Sequence, residues 1–353
     1  MTETHRPRRS ITVDNMKGVA ILVVVFAHIT LGLNKTGHIS DGFIYGSMPF
    51  YLWYMAAFFF ASGLFMEKGL HREGPWKFIL NKAVELGYPF IIWSFIFGVT
   101  QMVFSSYTNT GSIGFSEVLT GLLPWKPRDH MWFLPALFLA FAVAATAFRL
   151  GGPRWKTLLL SFALGMAAMV AVLPSWNQQL QYTLWLSTAA LIASTSFGGW
   201  VKGASASVRS VLSFLTIAAI FVFIILVWVG PGRDFYLDVP SLVLGSGIGI
   251  LGLVALSRIT AAISGLGPFL ARLGRWSLHI YLTHVPVLAA VRVALTRFMG
   301  LDSPVIITAT SLVVCVAIGC AFGYLSERSQ VSILFRPPQG ARSSGKSMPV
   351  TSR

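Results

Sequence analysis

Long apolar runs alternate with short polar segments along this chain, and the runs have the length that a hydrocarbon layer demands. An α-helix needs about 20 consecutive apolar residues to cross a bilayer. By that measure the pattern predicts spans near 14–33, 48–66, 77–104, 131–149, 157–173, 181–200, 208–229, 236–256, 273–298 and 304–326. The fold class expected is therefore all-α, a polytopic bundle of about ten transmembrane helices. Pro89 lies inside the long third run, which predicts a kink or partial embedding there. The sixth run is rich in Ser, Thr and Gly and is the weakest.

The polar segments give an orientation. Loops on the side of the N-terminus hold Arg6, Arg8, Arg9, Lys68, Arg72, Lys77, Arg149, Arg154, Lys156, Lys202, Arg209, Arg258, Arg272, Arg275 and the basic residues of the tail. The opposite loops hold only Lys35, Lys126, Arg128, Arg233, Arg292 and Arg297. Cytoplasmic loops are the basic ones, so both termini are expected in the cytoplasm and the protein in the inner membrane. A basic stretch precedes the first apolar run, as in a signal peptide, but Asp14 and Lys17 interrupt it and no A-x-A site follows. It reads as a retained first helix. The organisation expected is a basic N-terminal segment (1–13), a membrane domain (14–328) and a disordered tail (329–353), which carries Pro337, Pro338, Gly340 and several serines.

Composition agrees with this picture. Of 353 residues, 55% are hydrophobic and only 11% charged, too few to cover a soluble domain of this size. The formal charge of +15 would suggest nucleic acid in a soluble protein. Here the basic residues sit between apolar runs, where they report topology and contact anionic lipid, and no basic face with interleaved aromatics is available to water. Nucleic-acid binding is excluded on that ground. The two cysteines, Cys315 and Cys320, lie in one run about 140° apart around a helix and read as packing residues. His279 and His284 have the same spacing, which does not make a metal pair, and no metal or bound cofactor is expected.

Ionisable groups inside a span are costly, by about 2.5–3.5 kcal/mol at the centre on insertion scales. The first span carries three: Asp14, Lys17 and His28. Eleven residues separate Lys17 from His28, about 1100° of helix, which returns to within about 20° of the same face. Asp14 falls within about 40° of it, and His28 lies roughly 16 Å deeper than Lys17. Such a stripe belongs against the bundle interior. A buried neutral imidazole can accept a proton from a hydroxyl, and a shallower ammonium can hold an anionic phosphate. The plainer alternative is a snorkelling Lys17 and a packing hydrogen bond from His28.

The run from Ile11 through Asp14 and Lys17 to His28 resembles the first span of the acyltransferase-3 family of membrane acyltransferases, in which a basic residue is followed after ten others by His. It looks closest to the branch of fucose O-acetylase-like proteins. Phe58-Phe59-Phe60 leading to Ser62-Gly63 is similar to the family's second span, Trp132-Phe133-Leu134 to its Trp-Phe-Leu motif, and Leu273 through Arg275, Ile280, Tyr281 and His284 to its penultimate span. Glu327 stands where members often carry Glu. The resemblance covers about residues 10–330. It implies acyl transfer, with acetyl as the leading group, from acyl-CoA (acetyl-CoA) as co-substrate to a hydroxyl of a sugar, a lipid-linked glycan or an envelope polysaccharide. It places catalysis on His28, with Asp14 fixing the polar entry of that helix, and donor binding on Lys17, with Lys82 and Arg72 as further candidates. On the acceptor side the candidates are Trp132, Tyr281, His284 and Glu327.

Two departures stand out. Tyr54, Met55 and Ala56 replace the family's His-Met-Pro, and Lys82 and Glu85 replace its Arg-x-x-Arg, associated with the phosphates of CoA. Several readings stay open. His284 serves either an acceptor cavity or a helix–helix hydrogen bond. Trp132, beside Asp129 and His130, either stacks on a sugar or anchors its helix. Ser62-Gly63 reads as close packing rather than a nucleophile. The alternative function is a transporter or flippase that binds a sugar-linked anion with the same stripe and does no chemistry, but no internal repeat supports alternating halves.

Overall fold

The computed structural model describes residues 10–105, 113–149 and 239–338, with scattered residues between 163 and 217. Among them there is no strand. The helices are α1 (Ile11–Lys35), α2 (Asp41–Gly63), α3 (Met66–Glu73), α4 (Pro75–Val103), α5 (Phe115–Thr120), α6 (Phe133–Arg149), α7 (Ser196–Lys202), α8 (Val239–Ala261), α9 (Leu266–Arg275), α10 (Ser277–Val293) and α11 (Pro304–Arg328). A tight helical turn, Asp129–Trp132, leads into α6, and a π-helical turn, Ala294–Phe298, ends α10. Six described segments are long and apolar enough to cross a membrane: Ile11–Lys35, Phe50–Glu73, Pro75–Val103, Asp129–Arg149, Ser277–Phe298 and Pro304–Arg328. The span expected at 157–173 and most of those at 181–200 and 208–229 fall outside the described residues.

The first span holds the centre of the bundle. Ser10 starts it, its Oγ accepting from the Val13 N–H at 3.4 Å and donating to the Lys202 carbonyl at 2.7 Å. From there α1 packs against α2, α8, α9, α10 and α11. Its closest neighbour is α9, because both helices offer glycine at the crossing. A side-chain carbon on Gly274 would overlap the Asp14 carbonyl oxygen, and one on Gly18 would overlap that of Leu270. Small residues at a crossing let backbones touch and gain dispersion that lipid cannot supply. Gly63 does the same for α2, where a side chain would overlap the Leu186 carbonyl, which is the packing reading of Ser62-Gly63.

Two boundaries differ from the periodicity. The run expected as one span from 273 to 298 is broken: α9 ends at Arg275, Trp276 caps it, and α10 begins at Ser277. The break lets α9 cross α1, while α10 runs beside α11 with Ile280 seated on Gly319 and Trp276 on Gly323. At the C-terminal end, the segment expected to be disordered from Ser329 begins with an ordered turn, Gln330–Leu334. Phe335 follows it into a buried slot, with ring centroids 4.2 Å from His279 and 5.3 Å from Trp93. The Trp93 indole donates to the Leu334 carbonyl at 2.9 Å and the Tyr88 hydroxyl to the Ile333 carbonyl at 2.7 Å.

Candidate active site

Three imidazoles from three elements meet inside the bundle. His28 comes from α1, His284 from α10 and His130 from the turn before α6. Their ring centroids are 4.8 Å apart for His28 and His284, 5.1 Å for His130 and His284, and 6.2 Å for His28 and His130, all edge to face. His284 is fully buried and His130 nearly so, while His28 keeps partial access.

The hydrogen bonds settle which nitrogens are available. His28 Nδ1 lies 2.9 Å from the Val24 carbonyl oxygen, one helical turn back. A carbonyl can only accept, so Nδ1 carries the proton and Nε2 is left with a lone pair. His284 repeats the arrangement, with Nδ1 2.6 Å from the Tyr281 carbonyl oxygen. Its Nε2 is buried and unpaired, as are both nitrogens of His130. A buried polar atom without a partner costs about 1–3 kcal/mol, so each one asks for a reason, a catalytic role among them.

His130 reaches this place through a strained turn. Asp129 has φ of 40°, in the left-handed region. It is the single non-glycine residue with positive φ among the described residues. A relay holds it: Arg128 donates to Gln101 Oε1 at 2.6 Å, and Gln101 Nε2 donates to Asp129 Oδ2 at 3.0 Å. On the other side the Tyr281 hydroxyl donates to the His130 carbonyl. The Phe97 ring packs edge to face on the imidazole, with centroids 5.1 Å apart. Strain held by several partners is a mark of functional sites.

Of the residues expected to act, His28, His284 and Tyr281 are brought together here. Trp132 stands two residues beyond His130, with its ring 6.3 Å from that of Phe133. Asp14 lies at the other end of α1, about 21 Å along the axis from His28, at the crossing with α9. Lys17 is on the same end of the helix and half-buried. Glu327 is not at the cluster; it accepts the Trp276 indole N–H at 2.8 Å, at the level of α9. Lys82 pairs with Glu85 at 2.8 Å and lies 5.0 Å from the Phe141 ring centre, and Arg72 is bound by Glu73. These two donor candidates already have carboxylate partners.

His130 is the residue that sequence reasoning passed over as a site member. Its signal was its place at the start of an apolar run, two residues before the Trp-Phe-Leu motif. Among the described residues no group of His, Cys, Asp or Glu side chains is arranged to hold a metal ion, this trio included. What the arrangement can do is receive a proton: His28 and His284, with ring centroids 4.8 Å apart, each keep Nε2 as a bare acceptor.

A family model for the acyltransferase domain of the acyltransferase-3 family matches residues 11–322. No curated protein and no solved structure matches the chain. The match runs from the first turn of α1 into the last turns of α11 and takes in all three imidazoles, so the chain belongs to the acyltransferase-3 family, and it is a membrane acyltransferase.

Proposed function

We propose that the protein transfers an acyl group, acetyl first among the candidates, from acyl-CoA to a hydroxyl of a sugar or envelope glycan, with His28 as the general base. The observation that carries this reading is the Nδ1 bond from His28 to Val24, which leaves Nε2 as a free acceptor in a buried polar cluster. As the acceptor oxygen attacks the thioester carbonyl carbon, His28 Nε2 takes the hydroxyl proton. The carbon–sulfur bond then breaks, and the departing thiolate takes that proton, giving an O-acyl ester and free CoA. His284, whose ring centroid lies 4.8 Å from that of His28, offers a second bare nitrogen beside the imidazolium. Placement of both substrates beside one base supplies proximity, worth several kcal/mol. In this reading the termini are cytoplasmic and the acyl-CoA enters from that side of the inner membrane, towards the basic end of α1.

Mass spectrometry of envelope glycans from cells with and without the protein tests the reading, a difference of one acyl group naming the donor. With His28→Ala the acylated species should disappear while the protein still inserts, since base catalysis contributes about 10²–10⁴-fold. Acylation retained at the wild-type level in that variant would refute the assignment.

A further inference from the structure

A second feature lies at the opposite end of α1 from the imidazoles. A cleft of about 230 Å³ opens where α9 crosses the first turns of α1, lined by Ile11, Asp14, Pro268, Ala271, Arg272 and Arg275. We propose that this cleft is a phosphate-binding site, with Arg272 and Arg275 as its ligands.

Most of the other basic side chains with described contacts are already engaged. Arg72 is bound by Glu73, and Lys82 by Glu85. Arg258 donates to the carbonyls of Trp200 and Gly203. Arg272 and Arg275 are exposed and form no ion pair or hydrogen bond through their guanidinium groups among the described residues. Three positions apart on α9, they project to neighbouring parts of one helix face. Both line one cleft, the Arg272 guanidinium lying 6.0 Å over the Trp276 ring, and guanidinium forks suit a phosphate, whose oxygens accept bidentate N–H bonds.

The frame of the cleft is rigid. Gly18 and Gly274 bring the two backbones into contact, so the arginines cannot drift relative to α1 without parting the helices. Asp14 on the lining partly offsets the two positive charges, which favours a single phosphate over a polyanion. Ile11 and Pro268 add apolar walls, and exposed Leu266 and Phe269 on α9 suit a helix lying at the headgroup level. Two sources of the group share this chemistry: a phosphate on the carrier of the acyl donor, and the phosphate of an anionic lipid. The first deepens the proposed function and rests on it; the second does not.

The test uses the full-length protein in nanodiscs and the double variants R272Q/R275Q and R272K/R275K. In one arm, binding of free CoA is measured in discs of phosphatidylcholine alone. In the other, thermal stability is compared with and without phosphatidylglycerol. Loss of two charge-assisted contacts should weaken the affected ligand at least tenfold in R272Q/R275Q, with partial retention in R272K/R275K. A loss in the CoA arm identifies the donor's phosphate; a loss confined to the lipid arm identifies a headgroup; a loss in both identifies a site open to either. Neither arm changing in either variant overturns the proposal. Both arms are read without turnover, so a wild-type protein that transfers no acyl group would sink the functional reading and leave this result standing. Should R272Q/R275Q fail to fold, the single variants R272Q and R275Q, read in the same two arms, decide the matter.

Discussion

At the scale of single residues, the site is built by partners that dictate tautomers. His28 and His284 each give their Nδ1 proton to a carbonyl of their own helix, so each presents a lone pair. His130 has no partner for either nitrogen and is held by its backbone instead. This contrast makes a prediction. His130→Phe keeps the ring and its packing on Phe97 but removes two unpaired buried nitrogens. Thermal unfolding should show a gain of about 1 kcal/mol, while acyl transfer falls at least tenfold. Loss of stability, or full activity in this variant, would remove His130 from the site. The turn below it is equally specific. Asp129→Asn should be tolerated, since Asn accepts the left-handed region, whereas Asp129→Val should lower stability by about 1–2 kcal/mol or more and displace His130. The Lys17–His28 register was legible in the sequence because it is pure helix arithmetic. His130 was not, because its approach depends on Gln101 and Arg128, which no periodicity connects to it.

At the scale of elements, what was legible was the run and what was not was its interruption. Leu273 to Thr283 falls within one expected span, yet the chain turns at Trp276, where α9 crosses α1 at two glycines. Overpacking there should be severe. Gly274→Ala pushes a methyl into a carbonyl oxygen, so its cost should reach or exceed the top of the usual range of about 1–3 kcal/mol, read as lost folded yield in detergent. The tail shows the same limit. Ser, Pro and Gly beyond residue 329 suggest disorder, but one aromatic overrides composition locally by filling a slot between Trp93 and His279. Phe335→Ala should destabilise by about 3 kcal/mol, measurable as a lower melting temperature, whereas cutting the chain after Pro338 should not. If the two changes behaved alike, the slot would have no structural role.

At the scale of the molecule, the bundle sets two chemistries at the two ends of one central helix. The polar groups of α1 divide between the α9 crossing, with Asp14, and the imidazole cluster, with His28. In the proposed orientation, with basic loops inside, the first of these lies on the cytoplasmic side. Reporter fusions check this: a fusion after Pro338 should behave as cytoplasmic and one in the 36–40 loop as external. The helix class and much of the span order were legible because the bilayer constrains run length so strongly. The convergence of α1, α10 and the Asp129 turn was not, since helices of similar length and polarity can be arranged in many ways.

The glycine contact between α1 and α9 has a further consequence. Because Gly18 is pinned to the neighbouring backbone, every residue between it and His28 acts as a graduation on a ruler. One residue inserted there would swing the imidazole by about 100° and blind it to His284; four would bring it back within about 40°, some 6 Å further along. In the proposed function, the reach demanded of the acyl carrier is thus metered in helical turns.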